Sequence, residues 1–420
     1  MKALQRLFEI SWRNVFRNKR RSLLTLLILV LGSSGLILVG GFFENLLEGH
    51  REQFIHSQTG HLQVNRAGYF QKGASAPLDY LLADVGRLRS EIEAEPGVKF
   101  TVPRLKFGGM ASTEETSIAV LVVGTEARAE RRMGAVKAAN VDHGSTRIVA
   151  GRDLDPSDGL GVLLGKGLAE ALGVGVGDGF TFLTTRRAGA IEGGQMRVRG
   201  IFETIAKDFD DHAVKMNLEA AQQLLGAPDQ VHSLLVLLDE TSRTVPVRDR
   251  LQGGFQAAGR GLETLTWEEQ GLFYRQSKDI LARIYAVIQL IIGVIFLFSI
   301  ANTVNMALFE RIREFGTMMA MGNGRGTVFL TIFAESLILG ILGSAGGIAA
   351  GLGLAQVVSA IGIEMPPPPQ SSSGYFAMIS VTWPLIRETA AISLAATALS
   401  ALWPAFRASR FRIVQALGYV

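Results

Sequence analysis

The sequence predicts an α-helical membrane protein with four transmembrane helices and a large α+β extracytoplasmic domain inserted between helices 1 and 2. Three observations carry this. Of 420 residues, 48% are hydrophobic, and the mean hydropathy is positive. The apolar residues gather in one block near the N-terminus and three near the C-terminus, with ordinary soluble composition between about Glu44 and Ile280. The basic residues that bring the pI to 9.4 mostly flank those blocks, so they read as topology signals and not as a nucleic-acid surface.

The first span is expected over Ser22–Phe43, after Arg13, Arg17, Lys19, Arg20 and Arg21. A run of about twenty apolar residues is long for a cleaved signal peptide, so it reads as an uncleaved anchor. The other spans are expected over Ile284–Phe309, Thr327–Ile361 and Ile386–Phe406. Arg311, Arg313 and Arg325 lie between spans two and three, and Arg407, Arg410 and Arg412 follow span four. The positive-inside rule then places both termini and the loop 310–326 in the cytoplasm, and the large module and the loop 362–385 outside. Two helices are expected to run past the membrane as stalks. Leu46, Leu47, His50, Phe54 and Ile55 recur at helical spacing after span one, giving a helix and stalk over 22–58. Leu272, Phe273, Gln276, Ile280 and Ile284 do the same before span two, giving 268–309.

The module over 59–267 mixes both periodicities. Strands are expected at His61–Val64, Ile118–Val123, Phe180–Leu183, Arg197–Phe202 and Ser233–Leu238. Helices are expected at Leu82–Ala94, Lys166–Leu172, Asn217–Leu225 and Val247–Ala258, and their alternation with strands suggests an α+β domain of two subdomains.

Catalytic constellations are missing. There is no cysteine, no His-Glu-x-x-His, no nucleophile elbow and no Walker A sequence. Gly165-Lys166-Gly167 lacks the following hydroxyl and reads as a turn into a helix. No metal site and no catalytic residue are expected; His50, His56 and His61 are grouped only loosely and read as a solvated stalk face. Glu335, two turns into span three, stands out as a carboxylate well inside a span. Such a charge is costly in lipid; it marks a functional site or, as the favoured reading, pairs with an Arg near the interface. Gly343, Gly347 and Gly351 set small residues four apart, which lets helices approach closely within a subunit or across a dimer. Between spans two and three, Glu310, Arg311, Arg313 and Glu314 precede an apolar, Met-rich stretch with Gly316, Ala320 and Gly322, a short amphipathic helix suited to the headgroups or to a cytoplasmic partner.

The pattern Glu310-Arg311-x-Arg313-Glu314-x-Gly316-x-x-x-Ala320-x-Gly322 resembles the coupling region of FtsX-like ABC permeases. Ser11–Ser22 is similar to that family's N-terminal cytoplasmic helix (1–21 here), and Pro404–Arg410 with Gln415-Ala416-Leu417 resembles its C-terminal signature, in a cytoplasmic segment 407–420. Val123-Gly124, Gly151-Arg152, Gly165–Gly173, Gly177-Asp178 and Val198–Ile201 resemble the MacB-like periplasmic core. As a permease with no fused ATPase, the chain looks most like the lipoprotein-releasing (Lol) group. The resemblance implies a multi-pass inner-membrane subunit that is not itself an enzyme. It implies a separate cytoplasmic ABC ATPase dimer, with ATP and Mg bound there and no cofactor here. A second permease subunit, identical or paralogous, a periplasmic adaptor or carrier, and a lipid or lipoprotein substrate complete the set. Motion at the Glu310–Gly322 helix would pass through the long spans to the outer domain. A MacB-like efflux permease and an FtsX-like regulator of a cell-wall hydrolase are the alternatives.

Overall fold

The computed structural model describes residues 11–15, 17, 19–73, 77–136, 144–186, 189–204, 206–366 and 374–410. His143, Pro367–Pro369, Ser371–Ser373 and the motif at Gln415 lie outside the described residues. The chain forms two compact units: one of Met1–Leu46, Ser277–Ile363 and Ala377–Val420, which holds most of the long apolar helices, and one of Leu47–Gln276 and Glu364–Phe376, which holds the inserted domain.

Helix α1 (Lys19–Phe54) is continuous over 36 residues. At about 1.5 Å per residue it outruns a hydrocarbon core of about 30 Å. A π-helical turn, Ile55–Thr59, ends it, and Gly60 closes the turn at φ 67°, a conformation that favours glycine. The inserted domain follows as β1 (Leu62–Arg66), α2 (Val85–Glu93), β2 (Val98–Ser112), β3 (Ser117–Thr125), α3 (Ala127–Gly134), β4 (Thr146–Gly151), β5 (Gly161–Gly165) and α4 (Lys166–Leu172). It continues with β6 (Gly179–Thr185), β7 (Ile191–Thr204), β8 (Ala213–Asn217), α5 (Leu218–Leu225), β9 (Ser233–Leu238), α6 (Thr244–Ala257) and β10 (Leu262–Thr266).

These strands form one sheet in the order β10-β1-β9-β2-β3-β8-β5-β7-β4, with β6 pairing both β2 and β7. The two subdomains expected from sequence therefore share an unbroken sheet, although its apolar cores are separate. One core gathers Leu234, Val236 and Leu238 of β9 with Leu88 and Ile92 of α2 and Val247, Leu251 and Phe255 of α6. Another gathers Phe107, Phe180, Phe182 and Val214 with Leu168, Leu172, Ala221 and Leu224 from α4 and α5. Strand β9 is buried at every position, which explains its uninterrupted Leu/Val run. Helix α2 starts three residues later than expected, because Leu82 bridges Val231 and Asp84 sits at φ 52°.

Further along the chain, α7 (Leu272–Glu310), α8 (Ile312–Ala320), α9 (Arg325–Ile361) and α10 (Trp383–Ser409) follow, with a two-stranded ribbon, β11 (Ile363–Met365) and β12 (Tyr375–Ala377), before α10. Among the described residues, four helices, α1, α7, α9 and α10, are long and apolar enough to cross a membrane. The expected spans lie inside them, and α7 starts twelve residues before Ile284 as one continuous helix. The glycine stripe of α9 faces α1. A Cβ on Gly343 would fall 2.5 Å from Leu29 Cβ, one on Gly347 2.5 Å from Ser33 Cβ, and one on Gly351 2.9 Å from Ile37 Cβ. Residues 29, 33 and 37 recur every four positions, so a ridge of Leu29, Ser33 and Ile37 on α1 seats against the glycine row of α9 within one chain. On the α10 side, Thr397 packs on Gly340, and Ser33 and Ser393 hydroxyls meet at 2.8 Å.

Candidate functional site

The segment after α7 is short because the helix breaks at Arg311, whose φ of −117° and ψ of 15° leave helical geometry before α8 restarts. Helix α8 is amphipathic. Ile312, Phe315, Gly316 and Met319 are buried at helical spacing, and Phe315 and Met319 pack with Leu308, Val328, Ile332, Ala405 and Ala408. Its opposite face exposes Arg313, Glu314, Thr317 and Ala320, followed by Met321 and Gly322.

Arg311 is the hub. Its side chain is almost fully buried, and its Nη1 donates to Glu335 Oε2 at 2.9 Å while Nε donates to Glu314 Oε2 at 2.7 Å. Arg17 Nη2 reaches both Glu314 oxygens, at 2.5 and 2.8 Å. The guanidinium of Arg311 also lies 5.2 Å from the centre of the Phe315 ring. Partial burial works to raise the Glu314 pKa, but the two guanidiniums outweigh it and hold the carboxyl below its usual range. The N-terminal segment joins the same assembly, since Ser11 Oγ donates to Thr331 O and Val15 packs on Ile338 and Leu339.

The sequence-selected residues thus separate into two groups. Arg311, Gly316 and Glu335 point inward and fix α8 to α9. Glu310, Arg313, Ala320 and Gly322 lie at the surface, and Glu314 sits between, half-exposed. Glu335 meets Arg311. The exposed face is compact and carries both charge and apolar surface, so it can bind a partner; it holds no nucleophile–base pair. Among the described residues, no group of three His, Cys, Asp or Glu side chains could hold a metal ion. Contrary to the solvated face expected of them, His56 and His61 are buried and stack edge to face 5.6 Å apart; His61 Nδ1 accepts from the Leu238 amide and its Nε2 donates to Thr241. Gly165-Lys166-Gly167 lies where β5 turns into α4.

Sequence reasoning missed a buried charge group in the inserted domain: Arg104 of β2, Glu130 of α3 and Lys215 of β8. Its signal was faint: an Arg in the long strand β2 and a lone Lys in the short apolar strand β8.

Residues 22–253 match the family described as a MacB-like periplasmic core domain, and residues 286–413 match the FtsX-like permease C-terminal family. An uncharacterized ABC transporter permease of Methanocaldococcus jannaschii is 23% identical over 64% of this chain and 65% of its own length. The lipoprotein-releasing system transmembrane protein LolE of Haemophilus influenzae is 24% identical over 98% of both chains. The macrolide export ATP-binding/permease protein MacB of Hyphomonas neptunium is 26% identical over 41% of this chain, which spans 28% of that protein. Among solved structures, the periplasmic region of MacB from Actinobacillus actinomycetemcomitans covers 53% of this chain and 95% of its own at 9% identity and a TM-score of 0.36. The extracellular domain of YknZ from Gram-positive bacteria covers 49% and 99% at 12% identity and a TM-score of 0.34.

Proposed function

The chain belongs to the ABC transporter permeases that join a MacB-like periplasmic core domain to an FtsX-like C-terminal segment, and on that premise we propose that it releases lipoproteins or similar lipid-bearing substrates from the outer face of the inner membrane. The observation that carries the reading is the end-to-end match to LolE, over 98% of both chains.

In this reading both termini and α8 are cytoplasmic, as the flanking arginines favour. The exposed face of α8, with Arg313, Thr317, Ala320 and Met321, docks on a separate ATPase dimer that binds ATP and Mg. Arg311, tied at once to α8 and α9, passes the displacement of α8 into the spans. A second permease subunit completes the membrane part, and a carrier receives the substrate outside. The chain itself does no chemistry; it positions, pushes and releases.

The test is purification of the native complex from its membrane. An ABC ATPase and acylated protein should co-purify, and Arg313→Glu should reduce ATPase recovery at least fivefold without lowering the amount of chain in the membrane. Recovery of an outer-membrane efflux conduit, or of a cell-wall hydrolase with no bound lipoprotein, would replace this reading with drug export or hydrolase control.

A further inference from the structure

The end of α1 is held to the inserted domain by more than chain connectivity. Arg104, in the middle of β2, is 1% exposed. Its Nη1 donates to Gln58 O at 2.7 Å and its Nη2 to Ser57 O at 3.0 Å, both carbonyls of the π-helical turn that ends α1. The same Nη2 donates to Glu130 Oε1 and Oε2 at 2.8 and 2.9 Å. Lys215 Nζ donates to Glu130 Oε1 at 2.8 Å, and Thr125 Oγ1 to Oε2 at 3.2 Å.

The group carries two cations and one carboxylate, an excess of one positive charge in a buried place. Carbonyls at a helix C-terminus supply the compensating negative potential. The contact between Arg104 and the turn is therefore required electrostatically: moving the turn away would leave a buried guanidinium short of acceptors. Around it, Ile55, Phe100, Val102, Met133, Leu235 and Trp267 form an apolar cluster. A second polar line runs from Glu52 of α1 through Thr241 to His61, with both contacts at 3.2 Å.

We propose that Arg104 is a positioning residue of the transport cycle: it locks the terminal turn of α1 to β2 and, through Glu130 and Lys215, to α3 and β8, so that displacement of α1 reaches the sheet without slip. The inference rests on the permease reading above. It deepens that reading by naming where motion enters the domain.

The chain has no cysteine, so spin labels can be placed at will. Glu48→Cys on α1 and Glu219→Cys on α5 are both exposed positions. The labelled chain is assembled with its ATPase in nanodiscs, with unlabelled chain in excess, and ATP hydrolysis is measured on the same sample. In the otherwise native chain, the distance should be single and unchanged between the nucleotide-free and ATP–vanadate states. In R104M the nucleotide should shift the mean distance and at least double its width, while hydrolysis stays within twofold. R104K keeps a charge opposite Glu130 but not the planar fork, so it should give an intermediate shift. It also carries the test if R104M fails to fold by circular dichroism. Distances in R104M and R104K that match the native pair, or broaden without responding to nucleotide, overturn the role in transmission. If the unmutated chain neither binds nor stimulates an ATPase, the permease reading falls, and this inference with it.

Discussion

Arg311 Nη1 and Glu335 Oε2 lie 2.9 Å apart and buried, joining the start of α8 to the first third of α9. A buried ion pair is worth little against a well-packed apolar pair, but breaking it from one side strips a buried charge of a close partner, at a cost of up to about 3–5 kcal/mol, moderated for Arg311 by its bond to Glu314. Glu335→Gln and Arg311→Met should each lower the thermal midpoint of the detergent-solubilised chain. The double variant should recover much of the loss. Additive losses in that cycle would show that the two side chains act independently.

The meshed glycines give a sharper contrast. A methyl on Gly347 would stand 2.5 Å from Ser33 Cβ and 3.0 Å from the backbone oxygen of Val30, whereas one on Gly353 meets nothing within 4 Å. Gly347→Ala should destabilise the chain by about 1–3 kcal/mol through overpacking. Gly353→Ala, on the same helix, should be neutral or slightly stabilising. Equal unfolding midpoints for the two variants would count against the close approach of α9 to α1.

The inserted domain should be acid-sensitive through His232. Its Nδ1 accepts from the Lys106 amide at 3.0 Å and its Nε2 donates to Pro77 O at 2.9 Å. Burial, partly opposed by the bond to Pro77, lowers its pKa from 6.5 to about 4. The neutral form is the one the fold accommodates. Its contribution is complete above pH 6.5 and fades as pH falls towards 4, on the order of 3 kcal/mol. Hydrogen exchange of β2 and β9 should accelerate over that window, and His232→Gln should flatten the dependence.

Reporter fusions fix the orientation. Fusions after Gly68 and Gly374 should report outside the inner membrane, and fusions after Gly322 and Val420 inside. A cytoplasmic signal at Gly68 would reverse the placement of the domain and of α8 together.

Legibility followed physics. The spans and β9 could be read directly, because burial on all sides writes continuous apolar runs into the sequence. Strand β2 could not: Pro103 and Gly108-Gly109 interrupt its pattern, although Pro103 still lies opposite Leu234 in the ladder. In the membrane unit, a carboxylate inside a span was conspicuous, but which arginine answers Glu335 depends on the break at Arg311. The glycine stripe announced close packing without naming α1 as its partner. Arg104, Glu130 and Lys215 could not be read as a group because they come from three separate elements, and only the tertiary fold makes them neighbours.

The strand that opens the inserted domain is completed by the strand that closes it. Leu62 of β1 sits opposite Thr266 of β10, and β1 is flanked on its other side by β9. Entry and exit are thus roughly 200 residues apart in sequence, the kind of long-range pairing that slows folding. During synthesis β1 waits with both edges bare until β9 has emerged, and with one edge bare until β10 has, while α1 is already made. The nascent domain is therefore a target for chaperones throughout that interval, and truncation anywhere before Thr266 leaves an open edge ready to aggregate.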